Sequence, residues 1–213
     1  MKLTRTHGAS IAAVVLALLF AGGAVTVASA EREEAPASPV SASADAGFAR
    51  DMAVHHQQAV EMSFIVRDRT EDEEVRRLAY DIANTQANQR GMMLGWLDMW
   101  GLPKVESGTE PMAWMGMDGH GDTGPLDGAL MPGMATKTEL EQLRKASGKE
   151  AEILYLQLMT DHHKGGVHMA QGCVDKCSVE IEKNLAQGMV DAQESEIALM
   201  ADLLKARGAK PRA

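Results

Sequence analysis

The chain is short of basic charge. Its 213 residues carry 21 Lys and Arg against 30 Asp and Glu, a formal net charge of −9. Nucleic acid is gripped through its phosphates by lysine and arginine, so it is excluded as a partner class. The Glu-x-x-His spacing from which dinuclear metal oxidases in helical bundles are built occurs nowhere. Neither a nucleophile elbow nor a phosphate loop is present, so the sequence offers no catalytic machinery and is expected to be non-enzymatic. Cysteine is nearly absent, with only Cys173 and Cys177. Glycine and proline are missing from Phe48 to Arg69, where nothing interrupts a helix.

A long apolar run stretches from Ile11 to Val27, after Lys2 and Arg5 and before Ala28-Ser29-Ala30. Charged start, apolar middle and small-x-small end predict a secretory signal peptide over residues 1–30. The alternative is an uncleaved anchor, because roughly 17 apolar residues can just cross a bilayer. Any membrane association is expected to run through this segment alone. No cysteine lies near the cleavage site to carry a lipid, so the expected location is beyond the cytoplasmic membrane: extracellular, periplasmic or envelope-associated. Cleavage leaves 19 basic against 30 acidic residues, a formal −11. Residues 31–46 are rich in Ala, Ser, Pro and Glu, with too little apolar surface to offset chain entropy, and are expected to be a disordered linker. Residues 47–208 are the size of one domain, followed by a short tail over 209–213.

Within that domain the sequence repeats itself. An ungapped offset of 107 pairs residues 48–101 with 155–208, aligning Met52 with Met159, His55 with His162, His56 with His163, Met62 with Met169, Gln86 with Gln193 and Gly101 with Gly208. Each copy reads as two helices. Met52, His55, Ala59, Met62 and Val66 recur at helical spacing. Val75, Leu78, Ile82, Gln86, Met93 and Leu97 then form the stripe of a second helix, with Thr70 and Glu73 placed as a capping box. The second copy repeats this with a break expected around Gly172 to Ser178, and Gly165-Gly166 predicts a kink or the close approach of another backbone. Residues 102–147 hold a Gly-, Met- and Pro-rich loop and a short helix from Thr136 to Ala146, capped by Thr136 and Glu139, with Ser147 and Glu150 placed to cap the next. Two repeated αα-hairpins bury their apolar faces most simply against each other. The expected fold class is all-α, a four-helix bundle with a short extra helix.

Three constellations could carry chemistry. The first is Met52-x-x-His55-His56 and its copy Met159-x-x-His162-His163, with Met62, Met169 and His168 on the same helices. Residues three or four apart share a helix face, so thioether and imidazole point the same way. That donor set suits Cu(I), with Ag(I) similar, and imidazole alone accepts Cu(II) or Zn(II). The competing reading is one core and one solvated histidine in each pair. The second is Met115, Met117, His120, Met131 and Met134, with Met112, in the connecting loop. These are thioethers that wrap a soft ion, or adaptable filler folded back on the bundle. The third is Cys173-x-x-x-Cys177, a local disulfide in an oxidising compartment or a thiolate pair working with His168. Gln86 and Gln193 fall on inner stripes, where they orient a histidine across the bundle or form an interhelical bond.

The signal segment, the doubled Met-x-x-His-His helices, Met131-Pro-Gly-Met134 before a capped short helix and Gln193-x-x-Glu-Ile-x-x-Met200 together resemble the domain-of-unknown-function 305 family. The resemblance covers residues 48–208 and implies a ferritin-like exported helical protein, of a family in which some members bind copper outside the cytoplasmic membrane. The Cys173/Cys177 pair, and Glu61 where the second copy has His168, depart from the common pattern. The expectation is a Cu(I)-binding, buffering or sequestering envelope protein whose partners are metal ions, copper first with zinc or silver admitted. Self-association into a homo-oligomer is left open. The alternatives are a metal-free structural or partner-binding protein and a ferritin-like metal oxidase.

Overall fold

Five α-helices and two short 3-10 turns account for the regular structure in the computed structural model, which describes residues 38–116 and 126–212. Helix α1 runs Ala44–Arg67, α2 Glu73–Met99, α3 Lys137–Lys145, α4 Gly148–Lys176 and α5 Glu180–Ala206. No strand occurs among the described residues, and no helix there is long and apolar enough to cross a membrane. The predicted signal peptide, Met117 and His120 lie outside the described residues. From Pro39 onward the described chain forms one compact unit.

The repeat is realised as two hairpins, α1 against α2 and α4 against α5, which meet chiefly through their first helices. In α1, Phe48, Met52, His55, Ala59, Met62 and Val66 are all buried. Their counterparts in α4 are Tyr155, Met159, His162, Gly166, Met169 and Cys173, buried likewise. The steps of three and four between them make one inward stripe on each helix. The stripes carry large side chains with no measurable exposure at Phe48, Met52, Met62, Tyr155, Met159 and Met169. Burying each such side chain stabilises the fold by about 1.5–3 kcal/mol.

Four local expectations need correction. The linker expected over 31–46 is already ordered at its end. Ser43 caps α1 by accepting from the Ala46 amide, and Arg50 holds Ser41 through its carbonyl and hydroxyl at 2.8 and 2.7 Å. Thr70 does not form the capping box. Asp72 caps α2, accepting from the Glu74 and Val75 amides, while the Thr70 hydroxyl donates to Glu152 at 2.5 Å. A tertiary carboxylate outcompeted the local one. Helix α4 runs through Gly172 to Lys176, so the break is confined to residues 177–179. Ser147 is the N-cap of α4 but its side chain makes no capping bond, whereas Thr136 and Glu139 do form a reciprocal box at α3.

The connection between the hairpins runs along the bundle. A Cβ on Gly165 would lie 2.0 Å from the Pro132 carbonyl oxygen, so the bare backbone of α4 is what lets this segment in. On the other side Gln58, the repeat counterpart of Gly165, grips the segment twice. Its side chain donates to the Ala135 carbonyl at 2.9 Å and accepts from the Ala135 amide at 2.7 Å.

Candidate metal centre

The four motif histidines are all buried, with exposures of 0 or 1%. His55 and His162 sit where α1 crosses α4, their rings 3.7 Å apart between centroids and tilted by 32°. His56 and His163 flank them, each turned toward the second helix of its own hairpin. His56 Nε2 meets Gln89 Oε1 at 2.8 Å and His163 Nε2 meets Glu196 Oε2 at 2.6 Å. Both partners lie 33 residues downstream, so this bond is itself repeated. Gln86 and Gln193, read either as orienting a histidine or as forming an interhelical bond, are not the histidine partners. One turn further along each helix points more directly at the ring, and their own Oε1 atoms are left without a partner.

The central pair breaks the symmetry. His162 Nε2 donates to the His55 carbonyl at 2.9 Å, whereas His55 Nε2 reaches the Pro132 carbonyl at 3.3 Å. Pro132 can be there only because residue 165 is a glycine; a Cβ on Gly166 would instead press on Gln193 Oε1 at 2.3 Å.

Every Nε2 therefore faces an oxygen acceptor, and in His55, His56 and His162 this places the proton on Nε2 and leaves Nδ1 as the lone-pair nitrogen. Among the described residues all four Nδ1 atoms are buried without a hydrogen-bond partner. Burial depresses basicity. The pKa of His55 falls to about 3, mainly through desolvation, then through the neighbouring His56, against a smaller opposing pull from the Pro132 carbonyl. That of His56 falls to about 4, again mainly by desolvation, with the Gln89 bond opposing. His162 is held well below the usual range by desolvation and then by His55 and His163. These three are neutral donors at neutral pH. A buried polar atom left unmatched costs about 1–3 kcal/mol, so four represent a sizeable charge on a domain stability of about 5–15 kcal/mol.

The histidine layer divides two apolar clusters. Met52 and Met169 belong to the one that holds Phe48, Met93, Met112, Met131 and Met189. Met62 and Met159 belong to the other, with Tyr155, Leu156 and Met200. Met52 shares a cluster with Met169, and Met62 with Met159. The two motif methionines thus sit on opposite sides of the imidazoles, each accompanied by a methionine of the other repeat.

The remaining candidates are placed elsewhere. His168 is exposed on α4. Its counterpart Glu61 pairs with Arg144 and docks α3, so that position does not serve the centre in either copy. Met112 and Met131 are 3% and 2% exposed inside the apolar cluster, Met134 packs against it, and Met115 lies over Gly172. All four pack against the bundle, as polarisable side chains that fill irregular space can. Cys173 and Cys177 are joined in a disulfide at the α4–α5 corner. Gln89 and Gln58 were not singled out from the sequence, and Glu196 and Pro132 stood out only as neighbours of Gln193 and of the loop methionines. The 107-residue offset does map Gln89 onto Glu196, and that was the available signal.

The model of the DUF305 family, a domain of unknown function, matches residues 45–204. The chain belongs to this family. A DUF305 protein of Streptomyces coelicolor proposed to be secreted is 67% identical, covering 82% of this chain and 99% of its own, with a TM-score of 0.75. A DUF305 fragment from Deinococcus radiodurans is 29% identical over 81% of this chain and 99% of its own, with a TM-score of 0.63. CopM in its Cu(I)-bound form is 20% identical over 76% of this chain and 96% of its own, with a TM-score of 0.57; it has also been solved with Cu(II) and with Ag. At that identity the CopM likeness speaks to the fold. A search of curated proteins gives no significant match.

Proposed function

We propose that this DUF305 protein is an exported, non-enzymatic copper-binding protein that holds Cu(I) between the imidazole layer and the methionine pairs flanking it. The observation that carries the reading is the set of four buried Nδ1 atoms without a hydrogen-bond partner, each on a ring whose Nε2 is held by an oxygen. That is the arrangement by which outer hydrogen bonds fix a ligating histidine, and a core with no use for this nitrogen would not leave it bare four times. His55, His56, His162 and His163 are the proposed imidazole donors, and Met52, Met159, Met62 and Met169 the proposed thioethers.

The donor count favours a soft, low-coordinate ion. Among the described residues these histidines do not form a converging trio of His, Cys or carboxylate donors, which a zinc site would require. Thioether and imidazole together suit Cu(I) and Ag(I). CopM, distant in sequence but alike in fold, was solved with both Cu(I) and Ag, and that supports the reading. Gln86, Gln89, Gln193 and Glu196 line a small cleft between α2 and α5. It gives an ion a polar approach behind His56 and His163.

The test is a competitive Cu(I) titration of the apo protein under anaerobic conditions, paired with melting curves. Tight uptake and a raised melting temperature are expected, because a ligand bound only by the folded state must stabilise it. Replacing His55 and His162 together with alanine is expected to remove most of the uptake. Equal melting with and without Cu(I), and uptake no greater than in that variant, would leave the histidines as core filler.

A further inference from the structure

The α4–α5 corner carries a second donor cluster that the copper reading does not use. One sulfur each from Cys173 and Cys177 and a carboxylate oxygen of Glu182 lie within 4.8 Å of one another, all three residues buried. The disulfide occupies the sulfurs, but the carboxyl has no such account. Glu182 is 0% exposed, no amide, hydroxyl or cationic donor reaches its oxygens among the described residues, and the polar group it meets is another acid, the Asp45 carboxyl, with which it can share only its own proton. Asp45, the group beside it, already accepts from the Ser178 and Val179 amides at 2.8 Å each.

The internal repeat shows how unusual this is. At the same three positions the first hairpin has Val66, Thr70 and Val75. Val66 and Val75 are buried without exposure, so an apolar side chain suits those places. Of two copies of one corner, only the second replaced these positions with ligand-type groups, and it did so at all three together. Packing alone explains a valine at 182, not a buried glutamate.

We propose that reduction of the Cys173–Cys177 disulfide opens a metal site for a thiophilic divalent ion of the zinc class, with both thiolates and the Glu182 carboxylate as ligands. A dithiol reductant supplies the two electrons. One of its sulfurs attacks the protein disulfide, the mixed disulfide resolves, and the reductant leaves oxidised while Cys173 and Cys177 become thiols. The ion then binds as the thiol and carboxyl protons pass to solvent. The C-x-x-x-C spacing falls within the range used by zinc sites, and zinc–sulfur bonds of about 2.3 Å need the two sulfurs roughly 3.8 Å apart in a tetrahedron. The two Cα atoms are 4.8 Å apart, close enough for side-chain rotation to bring both thiolates to one ion. Three negative ligands in a buried corner select a dication over Cu(I). The oxidised protein lacks the site altogether, which makes the disulfide its gate.

The experiment titrates Co(II) into the full mature protein, oxidised or reduced with a phosphine, and follows the thiolate-to-cobalt charge-transfer band. That band reports sulfur ligation by thiolate and is blind to imidazole and thioether, so its outcome is independent of the histidine centre. One ion per reduced chain is expected, with no band in the oxidised protein or in a Cys173→Ser/Cys177→Ser variant. Glu182→Gln should weaken binding about tenfold or more; Glu182→Val, which copies the first corner, is the second variant should the amide impair folding as read by circular dichroism. Reduced protein without the band, or equal affinity after loss of the Glu182 carboxylate, overturns the proposal.

Discussion

The two helix corners, built from the same repeat, are held by different means. At the first, Asp72 caps α2 from within the corner, and Thr70 is clasped from the other hairpin by Glu152, itself bound to Arg207 at 2.7 Å. At the second, Val179 stands where Asp72 would be and makes no side-chain cap. The capping is done from the other hairpin by Asp45, the counterpart of Glu152, which takes the Ser178 and Val179 amides. A disulfide and the buried Glu182 complete the arrangement. Each hairpin therefore lends an acid to the corner of its twin. Where that loan also covers the cap, the corner is free to carry cysteines and a carboxyl instead of a local capping residue and a valine.

The largest expected effect separates what the copies share from what only one has. His55 and His56 titrate near 3 and 4 in the fold against about 6.5 unfolded. Below pH 6.5 the unfolded chain binds more protons, so stability is intact above that pH and falls as pH drops toward the folded values. Each such histidine contributes up to about 1.4 kcal/mol per pH unit. Urea titrations of the apo protein are expected to show steep loss between about pH 6 and pH 4. The second corner adds an opposite limb. Glu182 is raised to about 9, mainly by desolvation and then by Asp45, so its contribution is present below about pH 4.5 and is lost as pH rises toward 9. Glu182→Val should flatten the alkaline limb and leave the acid limb in place.

Gly165→Ala comes next. Its Cβ would meet the Pro132 carbonyl, at a cost expected to be about 3 kcal/mol, and denaturant midpoints should show it exceeding the loss from Gln58→Ala on the opposite side of the same segment. Asp45→Ala should cost about 2 kcal/mol by stripping two amides of their acceptor, against about 1 kcal/mol for Asp72→Ala at the locally capped corner. Equal losses would dissolve the distinction between the corners. The smallest effect is a gain. Gly188, in α5 with open space around it, should stabilise by about 0.5–1 kcal/mol when replaced by alanine, visible as a higher melting temperature.

The helices and their inward stripes were legible because a spacing of three and four survives in both copies, and an offset of 107 fixed which residues correspond. The crossing of His55 with His162 follows from that correspondence once the hairpins face each other. What could not be read locally were the tertiary bonds. Thr70 has the sequence context of a capping box, yet Glu152, distant in sequence, claims its hydroxyl. Gln86 and Gln89 are one turn apart, and only the direction of the ring on the facing helix decides between them. The loop methionines read equally as ligands or filler, since a flexible thioether suits both; only the fold shows that Met112 and Met131 pack into the cluster that holds Phe48 and not at the histidine crossing. Pro132 carries no side-chain signal at all, because its carbonyl is what His55 uses.

The stacked imidazoles at the helix crossing have a consequence for ancestry. Of the four long helices, α1 and α4 each contribute one ring to the stack and one thioether to either side, so each repeat holds half of the side chains at the centre and only the Pro132 contact comes from outside the two copies. A single hairpin about half as long, meeting its own twin around a twofold axis, would build the same stack from two identical subunits.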